Sequence, residues 1–484
     1  MWQTLYDVTD FLWGTPLMVL MVGVGLYLSF RTGFFQLTGI GTWMRKTLGE
    51  ILKKKQSSSN TGDGELTPFQ ALTTVLAGTV GSGNIAGVAA AIAIGGPGAV
   101  FWMWVIAIVG MMTKMAEVTL AVQYRKKTDQ GEYYGGPMHY MKNGLGSTGK
   151  ILAGIYAIAL FIEVMADACF VQPNTLATCV QDVFHLPLLA TGIIVVVLSM
   201  IVILSGGVKK IGDFCGKMVP PMILIYIFAC LVVIGMNIGN VPSAFGMILR
   251  YAFAPAPAIG GFAGSTITLA MGRGAARGIF SNEAGMGTAT TVHATAQTDN
   301  PAHQGMYGVL EVFIDTVIIC TLTSLSILCS GVWNNGNTGV VLTFDAFRSV
   351  WGQFGIVVLA IAVVLFTYSS YLGFFVEFRT CVEYLFGEKM VRILQWLYFI
   401  LPVLAVMLEV EQVWDIADMA VGFIVIPNMI ALLMLSPQFL KLFQEYRDSL
   451  KEKYEEAISL KIWLIHRCMP CVKLRPACIC FWLI

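Results

Sequence analysis

Long apolar runs recur along the chain, and most are 18 residues or longer. Read by hydropathy, they predict helical spans near 11–30, 67–94, 96–124, 150–178, 188–206, 214–238, 258–275, 304–330, 345–378, 390–408 and 412–435, eleven in all. A hydrocarbon layer is about 30 Å thick and a helix rises about 1.5 Å per residue, so each run is long enough to cross. Backbone polar groups find no water partners in lipid, and helices satisfy them within the run. The fold class expected is therefore an all-α polytopic membrane protein.

Composition agrees. Of 484 residues, 56% are hydrophobic and 12% charged, against about 25% charged in soluble domains. The net charge of +1 says little, but its distribution says much. With residue 1 outside, 27 of the 30 Lys and Arg residues fall on the cytoplasmic side, and only Lys114, Arg250 and Arg348 do not. That asymmetry predicts eleven spans, the N-terminus out and the C-terminus in. The first residues carry Asp7 and Asp10 and no basic residue before Arg31, unlike a cleavable signal. Seven of the eleven cysteines lie in or beside apolar runs, and Cys468, Cys471, Cys478 and Cys480 cluster in the tail as expected free thiols.

Two spans are not plain apolar runs. The second holds Leu76-Ala77-Gly78-Thr79-Val80-Gly81-Ser82-Gly83-Asn84 at its middle, and the seventh begins Gly260-Gly261-Phe262-Ala263-Gly264-Ser265-Thr266. Glycine inside a helix costs about 0.5–1 kcal/mol relative to alanine. Close helix packing accounts for isolated small-residue pairs but not for an added Asn84 amide. A discontinuous helix accounts for both, since unwound N–H groups bind carboxylates and unwound carbonyls ligate cations. With the first span set aside, ten remain in two sets of five, each led by a glycine-broken span and each with a long third member. An odd number of crossings inverts the second set, the inverted repeat of many secondary transporters. The divisions expected are 1–66, with the extra helix and a basic cytoplasmic segment; 67–240 and 241–436, the two repeats; and a cytoplasmic tail at 437–484. The long member of the second set carries Phe366-Thr367-Tyr368-Ser369-Ser370. Its hydroxyls either bond back to their own helix or, beside a broken helix, join a cation site.

Gly95-Gly96-Pro97-Gly98-Ala99-Val100-Phe101-Trp102-Met103-Trp104, running on to Gly110, resembles the signature of the alanine or glycine:cation symporter family. Gly81 to Ala89, Arg277 to Gly285 and Phe313 to Thr316 resemble further blocks of that family, in the same order over nearly the whole chain. The resemblance implies a LeuT-like 5+5 inverted repeat with one extra N-terminal helix, and alternating-access uptake of a small neutral amino acid driven by Na⁺, with H⁺ left open. It implies that backbone and side chains around Thr79, Gly81, Ser82, Gly83 and Asn84 meet the substrate, helped by Gln172, Asn174, Phe262, Gly264, Ser265 and Phe374. Carbonyls of Ala77, Val80 and Phe366 with the hydroxyls of Ser369 and Ser370 would form the Na⁺ site. Pro173 and Phe374 depart from the family pattern, which usually has a small residue and a tryptophan there. A smaller ring at 374 could widen the pocket beyond alanine and glycine, towards glutamine. The implied partners are an amino acid and the lipid bilayer of the inner (plasma) membrane, with no nucleic acid and a single chain as the functional unit.

Charges within the spans are functional by default. Lys114 and Glu117 are three apart and could pair on one helix face. Glu163 with Asp167, and Glu311 with Asp315, are like-charged pairs four apart, for which partners within the bundle are preferred to a proton relay. Asp415 and Asp418 lie near the outer boundary, where solvated and gating roles read alike. Arg273 to Asn300 reads as a cytoplasmic, partly re-entrant segment. A channel would need a continuous polar stripe or a ring of carbonyls or charges. The five histidines have no metal-ligand spacing and no catalytic constellation stands out, so no enzyme is expected.

Overall fold

The computed structural model describes residues 15–53, 66–127 and 133–472. Asp7 and Asp10, the basic residues Lys54 and Lys55, and the side chains of the tail cysteines lie outside the described residues. The main helices are α1 Thr15–Arg31, α2 Pro68–Thr79, α3 Val88–Gly95, α4 Gly98–Gln123, α5 Gly146–Val164, α6 Gln172–Phe184 and α7 Leu188–Met236. The second half holds α8 Val241–Phe253, α9 Ile267–Asn282, α10 Thr290–His293, α11 Pro301–Val312, α12 Thr321–Cys329, α13 Gly339–Trp351, α14 Gln353–Phe386, α15 Glu388–Ala405 and α16 Val410–Val472.

Among the described residues, six helices are long and apolar enough to cross a bilayer: Gly98–Gln123, Gly146–Phe184, Leu188–Met236, Pro301–Cys329, Gln353–Phe386 and Gln412–Glu452. A seventh crossing is the bent pair Pro68–Thr79 and Gly83–Gly95, whose axes turn by 50°. The sequence count of eleven also includes α1, α9 and α15, which are shorter or less apolar, and divides α7 in two. At about 1.5 Å per residue α7 runs to roughly 70 Å, more than twice the hydrocarbon thickness. Non-helical torsions at Gly206 (φ −178°, ψ 15°) and Gly207 (φ 57°, ψ −143°) break it, at the connection between the two predicted spans. Its outer face carries Ile193, Ile194, Val197, Leu198, Ile201, Leu224 and Phe228, all exposed. An apolar face of this kind suits lipid rather than water.

Local chemistry sets the ends that matter. Thr67 caps α2 by a capping box: its hydroxyl accepts from the Gln70 amide at 3.1 Å, and its own N–H donates to Gln70 Oε1 at 2.9 Å, with Pro68 next in the helix. Thr266 caps α9 by its hydroxyl alone, accepting from the Leu269 amide at 3.1 Å. Asn300 caps α11 by accepting from Ala302 and His303. The start of α2 is tied to the end of the second broken segment, where Gln297 N–H donates to the Leu66 carbonyl at 2.8 Å.

The structure corrects three expectations about the second half. The break of the seventh span is not at Gly260–Thr266. That stretch is a loop of short bridges, Ala256 with Ser265 and Ile259 with Phe262, and it precedes the helix. Helix α9 then runs unbroken through Gly272 and Gly274 and ends at Glu283, which takes a left-handed conformation (φ 53°). Gly285 (φ 101°) and Gly287 (φ 81°) continue the turn before α10. Glycine is required at 287, where an added Cβ would lie 2.6 Å from Pro137. Arg273 and Arg277, expected in a cytoplasmic connection, lie within α9, and the stretch from Arg277 through Ala296 is buried in protein. The long member predicted at 345–378 is two helices, α13 and α14, separated at Gly352 (φ 58°).

The third long span bends differently. A π-turn at Met165–Val171 joins α5 to α6, and Pro173 follows it. Proline has no N–H to give the carbonyl four residues back, and a π-turn is one way a helix absorbs that gap.

Candidate substrate and cation site

The break between α2 and α3 is buried throughout. The amide of Gly81 does not continue the helix; it donates to the Thr79 carbonyl and to Asn84 Oδ1, both at 3.0 Å. The Ala77 carbonyl, freed from its helical partner, instead accepts from Ser370 Oγ on α14 at 2.8 Å. Ser370 Oγ also lies 3.0 Å from the Phe366 carbonyl, and Ser369 Oγ lies 2.9 Å from it. Four of the five predicted cation ligands are thus in one hydrogen-bonded cluster, and Val80, fully buried, ends α2 beside them. Neutral carbonyl and hydroxyl oxygens gathered at an unwound segment suit Na⁺, because each hydroxyl can turn its lone pair to an ion in place of its present hydrogen bond.

Next to this cluster, Gln172 Oε1 accepts from the Ser82 amide at 3.3 Å, and its Nε2 donates to Asp167 Oδ1 at 2.6 Å. Ser82 Oγ is buried with no hydrogen-bond partner. A buried hydroxyl without a partner costs about 1–3 kcal/mol; a ligand carboxylate at Ser82, displacing the long Gln172 contact, would remove that cost. Close approach explains the glycines. A Cβ at Gly81 would meet Ser370 Oγ at 2.4 Å, and one at Gly83 would meet the Phe280 ring at 3.1 Å. Phe374 faces the same break, 3.9 Å from where a Gly78 Cβ would stand.

Other predicted contacts go elsewhere. Thr79 Oγ1 bonds back to the Val75 carbonyl at 3.2 Å. Asn174 turns away and donates to the carbonyls of Ala405 (2.9 Å) and Leu408 (3.0 Å), fastening α6 to the end of α15. Phe262, Gly264 and Ser265 lie at the far end of α3, where Ser265 Oγ donates to the Gly95 carbonyl at 2.9 Å. Twelve residues of helix separate Gly95 from Gly83, roughly 18 Å, so these three do not line the break. Asn174→Ala should therefore lower the melting temperature in detergent by several degrees, through loss of the two hydrogen bonds that fasten α6 to the end of α15, while the apparent KM for substrate stays within about twofold.

The structure adds partners that the sequence left open. Asn84 Nδ2 donates to Asp315 Oδ1 at 2.6 Å and to Ser281 Oγ at 2.9 Å, and Ser281 Oγ and Thr316 Oγ1 donate to Asp315 Oδ2 at 2.8 and 2.7 Å. Asp315 therefore joins the first broken helix to α9. Above the break, Arg277 holds Asp418 in a fork of 2.7 and 2.8 Å, with Trp414 stacked 4.6 Å from the guanidinium and 5.0 Å from the Phe280 ring. Below it, Lys114 pairs with Glu311 at 3.2 Å rather than with Glu117 as the spacing suggested. Glu311 also meets His293 at 3.0 Å, and Glu117 instead accepts from the Gly285 amide (3.0 Å) and Asn428 (2.6 Å), clamping the second break. Ser281 and Asp315 fall in blocks singled out by the resemblance, and the spacing of Asp315 from Glu311 points to partners within the bundle, which Asn84 and Ser281 supply.

The chain matches the model of the sodium:alanine symporter family over residues 1–460. It is 39% identical over 437 residues to the sodium/alanine symporter AgcS of Methanococcus maripaludis, covering 89% of this chain and 93% of that one. It is 34% identical over 439 residues to a Bacillus subtilis protein described as a probable sodium/glutamine symporter, GlnT, covering 90% of this chain and 89% of that one. Among solved structures it shares its fold with MhsT in complex with L-phenylalanine, at a TM-score of 0.56 and 14% identity, over 77% of this chain and 90% of that one. An all-α, LeuT-like membrane fold and a sequence alike over nine-tenths of its length together place the chain in the sodium:alanine symporter family.

Proposed function

We propose that the chain is a sodium-coupled symporter that carries a small neutral amino acid, alanine or glycine first and glutamine as a larger alternative, into the cell by alternating access. The observation that carries this reading is the contact of Ser370 with the freed Ala77 carbonyl, directly beside the unpartnered Ser82 hydroxyl. A cation and an amino-acid carboxylate bound there would share one unwound segment, so each would complete the site for the other. Ala77, Val80, Phe366, Ser369 and Ser370 would hold the ion, which supplies positive charge at the break. Gly81, Ser82, Gly83 and Gln172 would hold the carboxylate, with Asn84 fixing the turn and Phe374 bounding the side-chain pocket.

The relatives' names support sodium and alanine, and one supports glutamine. The positive-inside distribution supports an inner (plasma) membrane protein with eleven spans, N-out and C-in, built as 67–240 and 241–436 and working as a single chain. Uptake of labelled alanine into liposomes holding the purified protein tests the reading: an inward Na⁺ gradient should drive accumulation, and ion flux without amino acid would favour a channel instead. Ser369→Ala and Ser370→Ala should each raise the Na⁺ concentration for half-maximal uptake about tenfold, the effect of about 1.4 kcal/mol lost from one ligand. An unchanged Na⁺ dependence in both would remove the cation site from this cluster.

A further inference from the structure

Four carboxylates gather on the side of the break that faces Glu117 and Lys114. Glu163 stands on α5, Asp167 one turn on, Glu283 at the second break and Glu377 on α14, and each lies within electrostatic reach of the others. Asp167 and Glu283 have donors, Gln172 and the Thr288 hydroxyl respectively. Glu163 has none: both its oxygens are buried without a hydrogen-bond partner, and Glu377 Oε2 is in the same condition. Glu163 is 1% exposed and Glu377 3%. The other titratable groups around them include Tyr156, Tyr398, Cys169 and Cys381, the carboxylates Glu311 and Asp315 on the Glu283 side, and Lys114. Lys114 is the one cation among these groups, and it already meets Glu311 at 3.2 Å.

Four buried carboxylates facing one committed ammonium cannot all carry charge. An ionised carboxylate with neither donor nor cation is far more costly in a dry interior than one carrying a proton. A bound metal ion would need several of these oxygens around one point. Among the described residues no three His, Cys, Asp or Glu side chains are arranged in that way, whereas a proton needs a single oxygen.

The position connects this group to transport. Glu377 is seven residues beyond Ser370 on α14, roughly 10 Å along the axis. Glu163 is one turn from Asp167, which is joined through Gln172 to the Ser82 amide at the break. We propose that Glu163, with Glu377 near it, forms a proton-binding site beneath the substrate pocket, loaded while the protein is closed on this side and emptied when opening admits water. The inference rests on the symport reading, to which it adds a second coupled ion. Opening the cavity hydrates Glu163, which then releases its proton to water; closing it again requires that a proton return.

The test uses the full-length protein in liposomes with a trapped pH dye, labelled alanine and an inward Na⁺ gradient. Wild-type protein should acidify the interior in proportion to the alanine that enters. Glu163→Gln should bring the ratio of protons to alanine to zero and remove the proton-linked dependence of uptake on pH, Glu377→Gln should lower the ratio, and Glu163→Asp should keep it. Sodium-driven alanine uptake with no proton movement in the wild type overturns the site and leaves symport standing. A Glu163→Gln ratio equal to the wild type also overturns it. No sodium-driven uptake of any amino acid overturns both readings.

Discussion

Gly81→Ala is expected to abolish sodium-driven uptake while leaving the protein folded in the membrane. The added methyl would lie 2.4 Å from Ser370 Oγ and 3.1 Å from Gln172 Oε1. Two ways of relieving the clash exist, and each dismantles one half of the site. Rotating Ser370 withdraws its hydroxyl from the Ala77 carbonyl, 2.8 Å away, and so from the proposed cation. Moving Gln172 breaks its contacts with the Ser82 amide and Asp167. Overpacking of this kind costs about 1–3 kcal/mol, too little to unfold a large bundle but enough to shift ligands by several tenths of an ångström. Uptake should fall to background, and the elution volume and melting temperature in detergent should stay near those of the wild type. Retained uptake in Gly81→Ala would mean that the substrate and the ion bind elsewhere.

Arg277→Ala should be strongly destabilising. Its guanidinium is buried, forks onto Asp418 and lies against Trp414 and Phe280. Removing one member of a buried ion pair costs about 3–5 kcal/mol because the other charge stays behind. The double substitution Arg277→Ala with Asp418→Ala removes both charges and should recover a good part of the loss, measured by thermal unfolding in detergent. An additive double mutant would show that the fork contributes no coupling. The pair also joins α9 to α16 directly over Phe280, which touches the break at Gly83. Loss of the pair removes this tie between α9 and α16 beside the break, and should speed substrate exchange in whatever protein remains folded.

Much of the first half was legible because its signals are local. The glycines and Asn84 of the second span marked a break, and the structure bends there by 50°. Ser370, one turn beyond Phe366, donates to the freed Ala77 carbonyl, whereas Ser369 bonds back to the Phe366 carbonyl of its own helix. The second break was misplaced because glycine density was the guide. Gly260, Gly261 and Gly264 serve a loop outside the helix, whereas the true break is made by Glu283 in a left-handed turn followed by Gly285 and Gly287. A carboxylate ending a helix carries no such local signature. Asn174 was misread for a related reason: its neighbour Gln172 does reach the break, but two residues along a helix point about 200° apart, so the pair cannot share one pocket.

Charge partners were beyond local reading altogether. Lys114 and Glu117 are adjacent on a helix face, yet Lys114 reaches Glu311 on α11 and Glu117 reaches the turn at Gly285. Which partner wins depends on which helix packs against α4, and spacing within α4 cannot encode that. Apolar run length determined by itself that the chain is a helical membrane protein, since lipid leaves the backbone no alternative. The glycines and Asn84 of the second span determined where that helix breaks. Only the tertiary structure decided which buried acids are paired and which, like Glu163, stand without a donor. That choice is made by contacts between helices far apart in the chain.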